Sequence, residues 1–562
     1  MTTSLIIPPA MVLILAGLTL PLFARLGLRS VVLVVAPLVT LWQVLTLTDG
    51  IHLTGAFLGQ ELILLKMDPL SRVFASVFSI MAFAGGLFAL HQKSTLELSA
   101  AYLYAGSAIG VALAGDLITM FVFWEVMAIG STIVVLSAGK SALGSGLRYA
   151  AIHMLGGVLL MAGVAGEIAS TGSVTFDAMD LSTVPRMLIF AGFLVNVGAP
   201  PLSAWLADAY PEASWSGMVF LSAFTTKTAV YVLIRGFPGT EILIPIGLFM
   251  VFYGIVYAIL ENDMRRILAY SIVNQVGFMV TGIGIGTEMA LNGATAHAFT
   301  HIIYKALLLM SAGSVLLMTG KRKCTDLGGL FRTMPLTCAF GIVGALAISS
   351  FPWTSGFISK SMISDAAGSE HLAIVWFLLA AASAGVFLHA GIKFPWFVFF
   401  QKDSGLRPPE PPLNMLVAMG IMAAFCIGLG IYPKPLYDML PYPVDYVPYT
   451  GAHVVYQLQL LLFSGLAFFL LLGLLKRTMT ITLDVDWFWR RPGKAIARFL
   501  DRFGVYTWEW LADAIVKGAT KAHDALYRNY GPQGIFGRTW PTGTMAFWTT
   551  VTLGAVVILS YL

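Results

Sequence analysis

Apolar stretches about as long as a bilayer core is thick dominate this chain, separated by short polar loops. A window of roughly 20 residues, the length of helix that crosses about 30 Å of hydrocarbon, finds about sixteen candidate spans. They lie near 5–24, 29–48, 69–91, 97–114, 116–138, 146–169, 187–208, 216–235, 241–260, 267–286, 289–318, 336–366, 372–400, 413–432, 452–475 and 543–562. The pattern predicts an all-α polytopic membrane protein with about 14–16 transmembrane helices. The first span, LIIPPAMVLILAGLTLPLF, has neither a basic residue ahead of it nor a small-residue cleavage site after it, so it reads as a retained helix. Residues 49–68 are too polar and too short to span and read as an extracytoplasmic cap.

Two stretches, AYPEASW at 209–215 and PWTSG at 352–356, interrupt long apolar runs with Pro, Gly and polar groups, the pattern of broken helices that line protected cavities. The neighbouring wordings, GAPPLSAWLADA at 198–209 and SSFPWTSGFISKSM at 349–362, read as a weak internal repeat; chance similarity between two proline-containing breaks is the alternative. Composition shifts over 476–542, where Ile496, Phe499, Leu500 and Phe503, then Trp508, Leu511 and Ile515, repeat at helical spacing. Arg498, Arg502, Asp513 and Lys517 fall elsewhere around the same helix. The stripe predicts an amphipathic helix at the cytoplasmic surface, with a solvated tail as the alternative. The expected segments are 1–95 (N-terminal helices and cap), 96–260 and 261–400 (two half-bundles), 401–475 (C-terminal helices), 476–542 (amphipathic) and 543–562 (terminal span).

Of 562 residues, 58% are hydrophobic and 11% charged, which excludes a soluble globular domain. The net charge of +5 comes from loop bias and does not point to nucleic acid. With the N-terminus outside, the inner loops collect Arg25, Arg29, Lys93, Lys140, Arg148, Arg265, Arg266, Lys321, Arg322, Lys323, Arg332, Lys402 and Arg407. The outer loops hold chiefly Lys66, Arg186, Arg235 and Lys434. The three cysteines form no CxxC, which argues against an iron–sulfur set or a disulfide framework. No phosphate-binding glycine loop, nucleophile elbow or HExxH occurs. Transport is therefore expected to run on an ion gradient or on a partner's redox chemistry, with no cofactor or metal of its own.

An ionisable group in mid-span costs on the order of 2.5–3.5 kcal/mol on insertion scales, so each one needs a reason. Glu125 and Lys227 stand in separate spans; His297, His301 and Lys305 share one at spacings of four; Lys360 follows the second break; His389 and Lys393 share another span. Positions four apart climb one helix face, so these rows look like relays. Histidine changes charge near neutral pH, and burial makes a lysine release its proton more readily. Alternatives stand beside each. Glu125 bonds a neighbouring hydroxyl or backbone group; Lys393 snorkels to the interface; His297 and His301 ligate a metal or haem. The last is disfavoured, because no carboxylate or cysteine joins them and Lys305 would set a cation beside the metal. His153 and His52 read as hydrogen-bonded structural histidines.

FWEVM around Glu125, PLSAWLADAYPEA at 201–213, TTKTAVYVLIRG at 225–236, DMRRILAYSIVNQVGF at 263–278, HAFTHIIYKALLLMSAG at 297–313 and SGFISK at 355–360 together resemble the proton-translocating antiporter-like subunits. That family includes the D-type component of Mrp multisubunit sodium/proton antiporters and the large antiporter-like membrane subunits of respiratory complex I. TTKTAVY and the DVDWFWRRPG segment at 484–493 are most similar to the Mrp D type.

The resemblance implies two inverted-repeat five-helix bundles, each with a broken helix, joined by a hydrophilic axis. It carries the family's glutamate onto Glu125, its first lysine onto Lys227, its HxxxK pair onto His301 and Lys305, and its charge after the second break onto Lys360. The C-terminal amphipathic helix and terminal span resemble the lateral helix of the longest complex I antiporter-like subunit. Asn196, Ser203 and Ala207 depart from the family's lysine, histidine and proline, so Glu125 is expected to couple to Lys227 instead.

The implied function is that of a transporter subunit in a bacterial inner membrane, working with other membrane subunits and exchanging protons for sodium. The rival is a proton-pumping module of a complex I-like or hydrogenase assembly. A quinone- or haem-binding membrane enzyme and a pure scaffold are readings of other classes.

Overall fold

The helices start at the polar residues that punctuate the apolar runs. The side chains of Asp68, Ser94, Asp116, Thr183, Asp263, Thr287 and Thr450 each accept a hydrogen bond from a first-turn N–H of the following helix. These donors have no partner within their helix. The computed structural model describes residues 7–57, 59–478 and 483–562. Among them, thirteen helices are long and apolar enough to cross a bilayer; three shorter apolar ones, Pro9–Arg25, Val184–Val197 and Pro335–Ile348, stand where other spans are expected.

Helices α1 (Pro9–Arg25) and α2 (Arg29–Thr46) lead into strands β1 (Gly50–Phe57) and β2 (Gln60–Met67), an antiparallel hairpin. The segment expected as a cap thus carries a small sheet within an otherwise helical chain. Leu62, Leu65 and Met67 of β2 are buried, while β1 is largely exposed. Then come α3 (Pro69–Phe88), α4 (Thr95–Leu113), α5 (Leu117–Leu136), α6 (Leu143–Thr171), α7 (Val184–Val197), α8 (Ala204–Ala209), α9 (Gly217–Leu221) and α10 (Thr225–Gly236). A second series follows: α11 (Leu243–Leu260), α12 (Met264–Ile285), α13 (Glu288–Thr319), α14 (Pro335–Ile348), α15 (Ser355–Ser369) and α16 (Ala373–Val386). The last runs on into π-helical turns at Phe387–Lys393 and Trp396–Phe400. Helices α17 (Leu413–Ile431), α18 (Lys434–Tyr437) and α19 (Gly451–Leu470) complete a unit that ends at Asp486.

Trp487–Leu562 is a second unit. It contains nearly all of α20 (Asp486–Arg490), the 39-residue α21 (Pro492–Tyr530) and α22 (Thr542–Ser560). The apolar residues expected to line one face of α21, Ile496 to Ile515, are all exposed.

The two series repeat one arrangement. Helix α6 packs against α5, α7 and α8, and α13 packs against α12, α14 and α15. In each, a long helix lies along both halves of a broken one. The first break falls at 198–203, upstream of the expected 209–215, because Gly198 turns to φ 80° and Pro200 and Pro201 offer no N–H to continue the helix. The second is at 349–354, where Ser350 and Trp353 take φ of 57° and 65°. That left-handed conformation costs on the order of 1–3 kcal/mol per residue. A further interruption, at 222–224, divides the span expected as one helix at 216–235 into α9 and α10.

Hydrogen bonds join the loops into two faces. On one, Asp116 accepts from the Ile63 N–H of the hairpin, Leu117 bonds Val174, Met179 bonds Gly236, Gly239 bonds Ile283, and Asn292 bonds Tyr442. On the other, Glu97 accepts from Ser214 and Ser216, Arg265 donates to the carbonyls of Pro211, Ala213 and Ser214, and Arg477 donates to those of Cys324 and Leu327.

Glycines let α11 and α12 touch backbone to backbone, which fixes the face of α12 turned toward the interior. A Cβ on Gly254 would meet Asn274 N and Tyr270 O at 2.6 Å, and one on Gly277 would meet Gly247 O at 2.6 Å. Small residues permit such close approach where lipid supplies no hydrophobic drive between helices. Gly254→Val should lower the melting temperature of the detergent-solubilised protein by the equivalent of about 1–3 kcal/mol; an unchanged melt would show that the two helices can separate freely.

At the hairpin face Asp68 pairs with Arg235 at 2.7 Å. Burial alone would raise the Asp68 carboxyl, but the Arg235 charge and the bonds from Ser71 and Arg235 outweigh it and hold the group below its ordinary value. A carboxylate depressed in the folded state contributes stability above its unfolded pKa and loses it as pH falls through the folded one. Asp68→Asn should therefore melt lower than the parent at neutral pH, with the two melting curves converging as the solution is made strongly acidic.

Candidate functional site

Buried lysines mark the places where helices are interrupted. A broken helix leaves carbonyl groups without N–H partners, and in hydrocarbon each must be satisfied internally. Lys227 Nζ donates to the carbonyl of Ser222, between α9 and α10, at 2.7 Å and to Thr226 Oγ1 at 3.0 Å. Lys360, on α15, reaches back across the second break to the carbonyl of Ile348 at 2.9 Å and lies 5.0 Å from the centre of the Phe278 ring. Both amines are set at the negative end of a helix segment. Lys393 does the same for α11: its ammonium is bound to the carbonyls of Ala258, Ile259 and Glu261. It is buried, and the carbonyls it binds lie at the end of α11.

Helix α13 carries the central row. His297, His301 and Lys305 are each fully buried on this unbroken helix. His297 Nε2 is 3.2 Å from Gln275 Oε1, which also accepts from Tyr304 OH at 3.0 Å. Because the Gln275 amide nitrogen is committed to Asn274 Oδ1, the His297 Nε2 atom is the donor. Its Nδ1, 3.0 Å from Ser359 Oγ, is then an acceptor. Ser359 can turn its proton either to His297 or to the carbonyl of Ser355 at 3.3 Å, so a single hydroxyl rotation accommodates the neutral or the charged ring.

His301 has both ring nitrogens buried and unpartnered among the described residues, with the Tyr304 ring edge-on at 5.2 Å. Lys305 Nζ donates to Ser271 Oγ at 2.9 Å. Helix α10, which bears Lys227, packs on both α12 and α13. His389 sits in the π-helical turn with Nδ1 bonded to the Gly385 carbonyl at 2.9 Å and Nε2 unpartnered among the described residues.

Glu125 stands apart from this row. Its carboxylate rests on Gly157 of α6, where a Cβ would come within 2.2 Å of Oε1, and Oε1 is buried without a partner among the described residues. Asn196, at the position where a lysine is expected, abuts the adjacent Gly156. No ion pair joins Glu125 to Lys227 among the described residues, so the expected coupling between them is not a direct contact.

A cavity of about 370 Å³ reaches Lys360. Asp365, Tyr446, His453 and Gln457 share its lining. Gln457 donates to the carbonyl of Ser349, another group freed by the second break.

Sequence reasoning located the charges and missed their uncharged partners. Ser271, Gln275, Tyr304 and Ser359 join the row through hydrogen bonds. The signal available for them was the pair Asn274 and Gln275 in the middle of an apolar span, each with an amide that lipid cannot satisfy.

Residues 114–388 match the family model described as NADH:quinone oxidoreductase/Mrp antiporter, TM. The chain is 31% identical over 401 residues to the D component of the Na(+)/H(+) antiporter of Alkalihalophilus pseudofirmus, an alignment spanning 65% of this chain and 80% of that one. Among solved structures, a chain of the membrane-bound sulfane sulfur reductase, an archaeal respiratory membrane complex, superposes with a TM-score of 0.72 at 23% identity, covering 98% of this chain and 99% of its own. A chain of the Mrp complex from a Dietzia species superposes with a TM-score of 0.66 at 18% identity, covering 79% of this chain and 99% of its own. These two show a shared fold. By its similarity to the Alkalihalophilus antiporter component, the chain belongs to the family of membrane subunits common to NADH:quinone oxidoreductases and Mrp antiporters.

Proposed function

We propose that this protein is the ion-translocating subunit of a multisubunit cation/proton antiporter. Protons pass between Glu125 and Lys360 by way of Lys227, Lys305, His301 and His297, in exchange for sodium, and the cavity at Lys360 is the port on the hairpin face. The observation that carries this reading is the buried row on α13, in which titratable groups alternate with hydroxyl and amide partners able to donate or accept. His389 and Lys393 flank the row. Lys393 is committed to three carbonyls and so serves the frame, while His389 keeps a free nitrogen among the described residues.

The family places such subunits in assemblies with other membrane chains, and the same role is proposed here, in a bacterial inner membrane with the N-terminus outside. The basic loops support that orientation, since Arg265, Arg322 and Arg477 all fall on the face away from the hairpin. Cys324, Cys338 and Cys426 are buried, so a cysteine placed at the exposed Thr54 of the hairpin is a clean reporter. Thr54→Cys should react with a membrane-impermeant maleimide added to intact cells; reaction only after the membrane is opened would reverse the orientation.

One observation favours a second reading, a proton-moving module of a redox-driven complex. The sulfane sulfur reductase chain matches this one over 98% of its length, whereas the Mrp chain matches 79%. Dye-monitored proton movement in everted vesicles containing the whole assembly separates the two. A pH gradient that collapses on adding sodium marks the antiporter; a gradient built by electron donors, without regard to sodium, marks the pump. In either case Glu125→Gln, Lys227→Ala and Lys305→Ala should each slow proton movement at least about tenfold, with the assembly intact on native gels. Wild-type rates in all three would remove the proposed path.

A further inference from the structure

The first series holds a buried base that the path above does not use. His153 of α6 is 2% exposed. Its Nδ1 lies 3.0 Å from the Tyr149 carbonyl, which can only accept, so Nδ1 carries the proton and Nε2 presents a bare lone pair. That Nε2 is buried without a partner among the described residues, and so are Glu125 Oε1 and both amide atoms of Asn196. Leaving a buried polar atom unmet costs about 1–3 kcal/mol. Several in one place need an explanation beyond packing.

These atoms converge on one stretch of α6. Glu125 lies against Gly157, one helical turn beyond His153, and Asn196 lies 3.6 Å from where a Cβ of Gly156 would stand. On the other side of His153, Tyr149 stacks on the imidazole at 3.9 Å, and its hydroxyl reaches Ser131 at 2.9 Å and Thr225 at 3.4 Å. Thr225 adjoins Thr226, which Lys227 binds. The ring cannot swing away, since Trp205 of α8 closes edge-on at 4.7 Å and is itself anchored by its indole N–H to the Val195 carbonyl.

The repeated arrangement supports the same assignment. In the second series the segment after the break touches His297 through Ser359; in the first, the segment after the break touches His153 through Trp205. Each long helix thus turns a histidine toward its broken neighbour.

We infer that His153 is a proton-carrying residue of the first series, standing between Glu125 and Lys227. The inference rests on the proton path proposed above. The proton leaves the Glu125 carboxyl, which becomes carboxylate, and binds Nε2, which makes the ring imidazolium. The same Nε2 proton then passes toward Lys227, whose neutral amine becomes ammonium, and the ring is neutral again. The titratable groups around His153 are Tyr149 of its own helix, stacked on the ring, Tyr210 of the turn after α8, which packs on both Tyr149 and Trp205, and Glu125 of α5, which rests on Gly157 one turn away; Arg148 near the start of α6 is bound to Asp208 of α8.

His153→Gln and His153→Phe test this in everted vesicles containing the complete assembly. Phe keeps a stacked ring but no base; Gln keeps hydrogen bonding but cannot carry a proton charge. Both should slow proton movement at least about tenfold and remove the limb of the pH–rate profile that depends on the imidazole, with assembly measured on native gels. Adding Asn196→Lys to His153→Gln should recover much of the rate, because it returns a base to the same space. Glu125→Gln is the control. If it transports normally, the proposed path itself fails. If it is inactive while assembled His153→Phe keeps the wild-type rate and pH profile, the inference about His153 is overturned alone. A His153→Gln defect that Asn196→Lys does not relieve also overturns it.

Discussion

Everything in the interior depends on what becomes of the carbonyl groups left over when a membrane helix stops inside the bilayer. An intact helix needs no help from side chains; a broken one leaves oxygens that lipid cannot satisfy. This chain answers with lysine. Lys227 binds the Ser222 carbonyl, Lys360 binds that of Ile348, and Lys393 binds three at the end of α11. The arrangement serves two needs at once: the carbonyls gain donors, and any charge the amines carry meets a negative environment that makes its burial tolerable. It also ties chemistry to backbone geometry, because a lysine that loses its proton loosens its hold on the break.

Lys305 differs. It lies on the unbroken α13 and has a serine hydroxyl as its partner. A hydroxyl can donate as well as accept, so Ser271 can meet either protonation state of this amine, whereas a carbonyl can only accept. The long helices α6 and α13 are thus continuous rails beside the broken ones, and α13 itself carries the row of His297, His301 and Lys305. Glycine pairs set the spacing. Gly156 and Gly157 hold Asn196 and Glu125 against one rail, as Gly254 and Gly277 hold α11 against α12.

Much of this was legible in the sequence, for a definite reason. A charged residue in an apolar run is costly enough to stand out without any structure, so Glu125, Lys227, Lys305 and Lys360 announce themselves. So do breaks written with proline and glycine. The interruption at 222–224 escaped notice because Ser222, Ala223 and Phe224 contain neither. The hairpin was hidden by Ile63 and Leu64, which fill in the alternation that would betray a strand. Partnerships were harder. That Lys393 closes α11 depends on carbonyls more than a hundred residues away, and no local pattern records such a meeting. How Glu125 couples to Lys227 is likewise a matter of distance, and its carboxyl rests on α6, the helix that carries His153.

The cavity that descends to Lys360 has an electrical consequence. Were solvent to fill it from one side, the transmembrane voltage would no longer fall evenly across the whole thickness and would be squeezed into the dry layer beneath. Moving one elementary charge through the full drop is worth about 2.3 kcal/mol per 100 mV. On the path proposed above, the step between Lys360 and the α13 row would then take an outsized share of that work, and the membrane potential would act most strongly where the cavity ends.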